Sequence, residues 1–292
     1  MKLQTIFFLL PALLLLTVFL VFPVLESLAL SFFSNGGGTA FVGFDNYLKV
    51  FSDPAFVNPS ALTQGPPFGA LINNLLWIAI HLPLSLVLGL GLAVLMGRDK
   101  RLGPWRTLVF LGVVIPGVIT GVVTQFLFDK SSGLVPNAFS LVGIESLHVS
   151  WFAHPETALL ALIITHSWTW TGYCMVVFLS GLSAIPPSLV ESAVIDGAGP
   201  WQVFRRIKLP LLVGSVRTVV VMSLIVELTS FDLVYSSTYG GPGGATNVIG
   251  LQMYLEAFRY NHFGIGSALA TLLTLLAAVP IYFNVRQTVA SS

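Results

Sequence analysis

The sequence predicts an all-α, polytopic membrane protein with about six transmembrane helices. Three observations carry that prediction. Hydrophobic residues make up 55% of the 292-residue chain and charged residues only 9%, where a soluble domain carries about 25% charged. Mean hydropathy is +0.89. The few charged side chains cluster between apolar runs long enough to cross about 30 Å of hydrocarbon. An ordinary soluble globule is thereby excluded. A formal net charge of +1 gives no basic field for nucleic acid. The single cysteine, Cys174, excludes an intramolecular disulfide and any Cys-rich metal or iron–sulfur site.

Six segments meet or approach the ~20 apolar residues that a spanning helix needs: residues 5–30, 71–96, 107–128, 158–181, 211–234 and 266–285. Lys2 precedes the first, but the run from Ile6 to Val24 exceeds the ~7–15-residue core of a signal peptide and has no small-residue cleavage site, so it is expected to be a retained span. Basic side chains gather on the cytoplasmic flank of spans. With the N-terminus inside, Lys2, Arg98, Lys100, Arg101, Arg106, Arg205, Arg206, Lys208, Arg217 and Arg286 fall on the inner side, and Lys49, Lys130 and Arg259 outside. Both termini are therefore expected in the cytoplasm and the chain in the plasma (inner) membrane.

Between the first two spans, Gly36, Gly37, Gly38, Pro54, Pro59, Pro66 and Pro67 give residues 31–70 the composition of a loop. Trp77, Trp105 and Trp151 stand near predicted span edges and are expected in the interfacial belt. His148 and His154 have no Cys or acidic ligand at helical spacing and predict no metal site. No short repeat is visible, so residues 1–292 read as a single membrane domain.

The most informative stretch is 185–210, IPPSLVESAVIDGAGPWQVFRRIKLP. Pro186 and Pro187 end the preceding span. Ser188 with Glu191 three residues on forms a capping box that predicts a short helix start. Gly197 suits a left-handed helix end. Gly199-Pro200 predicts a turn, and Trp201, Phe204 and Ile207 then recur on one face of a second amphipathic piece ending at Pro210. Periodicity alone fits a surface loop lying in the lipid headgroups.

The spacing of the fixed residues points elsewhere. Glu191-Ser192-Ala193, three residues, Gly197, nine residues and Ile207-Lys208-Leu209-Pro210 resembles the EAA loop of permease subunits of binding-protein-dependent ABC importers, E-A-A, three, G, nine, I-x-L-P. Only Ser192 departs from it, a small residue for a small residue. Trp168, Gly181-Leu182, Ile185-Pro186, Asp196-Gly197-Ala198, Trp201-Gln202, Phe231-Asp232 and Gly240-Gly241-Pro242 look like the carbohydrate-uptake branch, the maltose-type and glycerol-phosphate-type permeases. The resemblance covers roughly residues 70–285. It implies the type I ABC importer permease fold, with 185–210 as a cytoplasmic coupling helix and Glu191, Ser192, Ala193 and Gly197 as ATPase-coupling residues. It also implies three partners: a second homologous permease, a cytoplasmic ABC ATPase dimer and an extracytoplasmic solute-binding protein. The chain contains no G-x-x-x-x-G-K-[ST] phosphate loop, so ATP and Mg are expected on the ATPase, with no cofactor and no enzymatic activity on this chain.

Glu227 is placed near the middle of the fifth span, where an acidic side chain must face a bundle interior or an aqueous cavity. Ser223, Glu227 and Ser230 follow i, i+4, i+7 and form a polar stripe. Sugar hydroxyls both donate and accept, and a sugar ring has an apolar face, so such a stripe beside the aromatic rings of Trp168, Trp170 and Tyr173 suits a sugar or polyol. In the maltose-type permease the substrate site aligns with Trp170, Tyr173, Ser223, Glu227 and Ser230, although that relative has glycine at the position of Trp170 and an amide at that of Glu227. Packing between helices explains Trp168, Trp170 and Tyr173 equally well. Asn73, Asn74, His81 and Gln125 are expected to be satisfied interhelical polar groups, and Asp232 to be solvated. Two other classes compete. Glu227 could serve as proton carrier in a secondary transporter, but no inverted repeat is visible. An intramembrane enzyme would need a nucleophile, base or metal-ligand motif, and none is present.

Overall fold

Helices build the molecule because only helices satisfy every backbone polar group inside hydrocarbon. A computed structural model of the chain describes residues 3–34, 40–97 and 99–291. Lys2, Arg98, Gly36, Gly37 and Gly38, used above for orientation and loop composition, lie outside the described residues. Among those described there is no strand, only an isolated bridge between Phe33 and Phe41. In chain order, α1 is Phe8–Leu30, α2 Asp45–Ser52, α3 Ala70–Gly97, α4 Gly103–Val114 and α5 Gly117–Leu127. Then come α6, Leu134–Leu141, α7, Pro155–Ser183, α8, Pro187–Ile195, α9, Pro200–Leu211, and α10, Val213–Leu228. The last three are α11, Asp232–Ser237, α12, Ile249–Tyr254, continued by Leu255–Arg259, and α13, Phe263–Ser291.

Four of these, α1, α3, α7 and α13, are each long and apolar enough to cross a membrane, and counting two bent pairs raises the number to six. The bent pairs correct two predicted spans. Residues 107–128 do not form one helix: α5 turns 104° from α4. Ile115 is extended (ψ 123°) before Pro116 (ψ 140°), because a proline pushes the preceding residue out of the helical region and offers no N–H of its own. Residues 211–234 also break. α9 meets α10 at 63°, α10 ends at Leu228, and a new helix begins at Asp232. Glu227 is therefore one residue from the end of its helix.

The centre of the bundle is α7, which packs on α3 and α4. Side-chain-free positions allow close approach, as expected where lipid supplies no hydrophobic drive for helix association. A Cβ on Gly172 would lie 2.8 Å from the Phe110 Cα, and one on Gly89 would meet Cys174. In the second broken region α5 packs on α11, with Gly117 facing the Asp232 carboxylate and Gly121 facing Ser236. Phe22–Leu30, the second half of α1, rests on α13, while the apolar window of α1 has no buried residue.

Two tryptophans expected at the membrane interface lie inside instead. Trp77 is fully buried with its indole N–H donated to His166 Nδ1 at 3.2 Å. Trp151 is buried beside Phe128 and donates to the Leu147 carbonyl at 3.1 Å. Each finds an internal acceptor for its N–H, which removes the reason to seek the water boundary. Trp105 is exposed as expected.

The close approach of α3 and α7 has a direct test. Gly89→Leu should lower the melting temperature of the purified transporter by several degrees, because the displaced neighbour includes α7 backbone. Gly91→Leu, two residues away and facing open space, should leave it within about a degree. Equal melting temperatures for the two variants would refute the α3–α7 contact.

Candidate functional site

Two regions carry the chemistry. The first is the loop 185–210. Its helix α8 starts at Pro187 with Pro186 as the flanking residue and has no side-chain cap, so the Ser188–Glu191 capping box does not form. The fixed φ of Pro187 starts the helix one position earlier and needs no partner for an N–H. Gly197 does take the left-handed conformation, φ +84°, and the Gly197 and Ala198 N–H groups donate to the Val194 and Ala193 carbonyls at 3.0 and 2.9 Å. The Gly199 N–H donates to Gln202 Oε1 at 2.9 Å, which fixes the start of α9.

Glu191 and Ser192 point to solvent, as do Ile195 and Trp201. Trp201 stacks on Phe204 with centroids 5.5 Å apart, but the buried anchor of this segment is Val203, not the predicted Trp201 face. A cavity of about 650 Å³ separates the loop from the ends of α3 and α7, lined by Leu95, Leu182, Val190, Val194, Phe204 and Lys208. The loop is thus seated at the end of the bundle where most of the basic residues lie, and α9 runs through Leu212 into α10.

The second region lies where α3, α7 and α10 meet. Trp170 donates its indole N–H to Ser223 Oγ at 2.8 Å and stacks on Tyr173, with centroids 4.6 Å apart. A cavity of about 210 Å³ opens beside them between the two breaks in the chain, lined by Gly117, Thr120, His166, Trp170, Ser230 and Asp232. The structure thus gathers Trp170, Tyr173 and Ser223 directly and sets Ser230 across the same cavity. Asp232, expected to be merely solvated, is one of its walls.

Glu227 is fully buried and is not part of that cavity's lining. Its Oε1 lies 3.6 Å from His81 Nδ1, and the His81 ring also lies against His166, centroids 4.4 Å apart. Both carboxylate oxygens of Glu227, both ring nitrogens of His81 and Ser85 Oγ lack a hydrogen-bond partner among the described residues. His81 and His166 each lie roughly 16 Å along helices that are roughly 42 Å long, so the group sits deep in the bundle. Asn74 holds the helix end itself: its Nδ2 donates to the Glu227 carbonyl at 3.4 Å, and its Oδ1 accepts from the Ile249 N–H at 2.9 Å. Asn73 donates to the Asn247 carbonyl at 2.8 Å and Gln125 to the Ser237 carbonyl. Asn74 and Gln125 are satisfied interhelical polar groups as predicted, whereas Asn73 reaches a loop carbonyl and leaves its Oδ1 without a partner among the described residues; His81 is instead set against Glu227. A signal for it was present: Asn74, His81 and Ser85 recur at seven and four residues along an otherwise apolar helix.

Residues 85–288 match the family model of the binding-protein-dependent transport system inner membrane component. The chain belongs to that family. It is 42% identical over 289 residues to the Probable ABC transporter permease protein PH1038 of Pyrococcus horikoshii, with 98% of each chain covered. The Trehalose/maltose transport system permease protein MalF of Thermococcus litoralis is 31% identical, with 94% of this chain and 91% of that protein covered. A solved bacterial alginate ABC transporter, crystallised with a periplasmic protein bound to an alginate pentasaccharide, superposes with a TM-score of 0.76 at 25% identity over 94% of this chain and 90% of that one. The chain is an ABC transporter permease of the membrane-embedded kind, and the secondary-transporter reading built on Glu227 finds no support.

Removing one member of a buried polar pair strands the other, whereas removing both is far less costly. Glu227→Leu and His81→Leu should each lower the melting temperature, and the double variant should lie well above the sum of the two losses, by a coupling of about 0.5–3 kcal/mol. Additive losses would show that the two side chains do not interact.

Proposed function

We propose that this chain is the permease subunit through which a sugar, polyol or related small solute, delivered by an extracytoplasmic binding protein, crosses the plasma membrane. It pairs with a second homologous permease and takes its motive force from a cytoplasmic ATPase dimer that holds the ATP and Mg. The whole chain acts as one membrane domain with both termini in the cytoplasm, and 185–210 is its coupling element. The family assignment and the names of the sugar-transporting relatives support this reading. The observation that carries it is the α8 turn Glu191-Ser192-Ala193, with Glu191 and Ser192 exposed and Ala193 half-buried, seated over the ends of α3 and α7 and continuous through α9 with α10.

On this reading Glu191, Ser192, Ala193 and Gly197 meet the ATPase. A push on α8 and α9 reaches α10 through the bend at Leu212, and α10 carries Ser223, Glu227 and, just beyond its end, Ser230. Cargo occupies the cavity beside Trp170. Trp170, backed by the stacked Tyr173, takes the apolar face of the ring, and Ser230 bonds its hydroxyls. Ser223 orients Trp170 through the 2.8 Å hydrogen bond, and Glu227 supports the site from behind through His81.

Glu191→Lys brings a reversed charge to a polar docking surface. The variant complex should assemble, yet its ATPase activity should lose at least tenfold of the stimulation that loaded binding protein gives the wild type. Wild-type stimulation in an assembled Glu191→Lys transporter would contradict the coupling role.

A further inference from the structure

We propose that His81, Ser85 and Glu227 form an internal water-binding site that joins α3 to α10. The inference does not depend on the identity of the cargo. All three residues are fully buried, at 0% exposure. Five of their polar atoms have no hydrogen-bond partner among the described residues: both ring nitrogens of His81, Ser85 Oγ and both carboxylate oxygens of Glu227. His81 and Ser85 stand one turn apart on one face of α3, and Glu227 Oε1 lies 3.6 Å from His81 Nδ1. Neither lipid nor a second subunit can supply the missing partners, because this chain alone already covers the group.

The neighbouring protein groups are committed elsewhere. The His166 ring lies 4.4 Å from that of His81 between centroids, but its Nδ1 already accepts the Trp77 N–H. In the neutral ring the other nitrogen then carries the proton and cannot accept. Asn74 is taken up by the Glu227 carbonyl and the Ile249 N–H.

Donor and acceptor character selects the occupant. The Ser85 hydroxyl both donates and accepts, and a neutral His81 ring has one nitrogen that must donate and one that must accept. Whichever of His81 and Glu227 carries the proton, the set mixes donors with acceptors. A cation would satisfy the acceptors alone and leave an N–H bare, and among the described residues no group of three His, Cys, Asp or Glu side chains could hold a metal ion. Water does both, and a buried water makes about three hydrogen bonds to groups of this kind. Seated beside the pair at normal hydrogen-bond distance from each atom, it spans the 3.6 Å gap that is too long for a direct bond. The route in is at hand: His166 touches His81 and stands in the wall of the cavity beside Trp170.

The test is cryo-electron microscopy of the complete transporter in lipid nanodiscs, at a resolution that shows ordered water, in sodium chloride and again in choline chloride. The expected result in both salts is a density peak within about 3.2 Å of a Glu227 carboxylate oxygen and a His81 ring nitrogen. A direct bond between Glu227 and His81 with no peak would overturn the site, and a peak lost in choline chloride would assign it to a cation instead. Hydroxyl-radical footprinting with X-ray pulses gives a second readout, because a buried side chain is oxidised only where water lies beside it. His81 should be oxidised in the wild type despite its burial. Ser85→Ala combined with Glu227→Leu should lower that oxidation at least fivefold, while the exposed Trp105 stays within twofold. Background oxidation of His81 in the wild type, or equal oxidation in the two proteins, would contradict the proposal.

Discussion

Hydrocarbon satisfies no polar group, and the architecture follows from that constraint. Wherever the backbone stops being helical, its free N–H and C=O groups must turn inward. The chain breaks at Ile115–Pro116 and again between Leu228 and Asp232, and the segments that follow the breaks, α5 and α11, pack on each other. Two breaks that would each be costly against lipid thus share one interior. The cavity beside Trp170 lies between them, with Thr120, Ser230 and Asp232 in its wall. A polar cavity arises where the fold already has to be polar.

The same constraint explains the side chains around α10. Trp170 and Ser223 satisfy each other, Asn74 ties the end of α10 to α12, and Trp77 finds His166. Glu227 and His81 are the exception: at 3.6 Å they are too far apart for a direct hydrogen bond, and neither side chain has a hydrogen-bond partner among the described residues. A helix whose inner face is held by such contacts moves as a body, because each contact broken in hydrocarbon leaves an expensive group behind. That rigidity ties the α8–α9 end of α10 to the cavity beside Trp170 at its other end.

Much of this was legible in the sequence. Apolar length marked α1, α3, α7 and α13, and the prolines and glycines between Ile185 and Pro210 marked the short helices α8 and α9. The positive φ at Gly197 also followed from residue type. The two broken spans did not, since a hydropathy run measures apolar content and is blind to direction. Pro116 was the available sign of the first break. The capping box failed because Pro187 competes for the same helix start. Trp77 was misplaced because depth along the chain was read as depth in the membrane, and the partner that decides its position, His166, lies on another helix nearly ninety residues away; the His81 neighbour of Glu227 is likewise distant in the chain.

The account stands on the sidedness of the α8–α9 loop. Ile195 is highly exposed there, whereas Cys174, the natural thiol, is buried, so Ile195→Cys gives one reactive site for a membrane-impermeant maleimide. The predicted result is no labelling in intact cells, strong labelling in inverted membrane vesicles, and protection of those vesicles by the bound ATPase. Labelling of intact cells would put the loop on the outer surface, out of reach of any cytoplasmic motor, and would contradict the account.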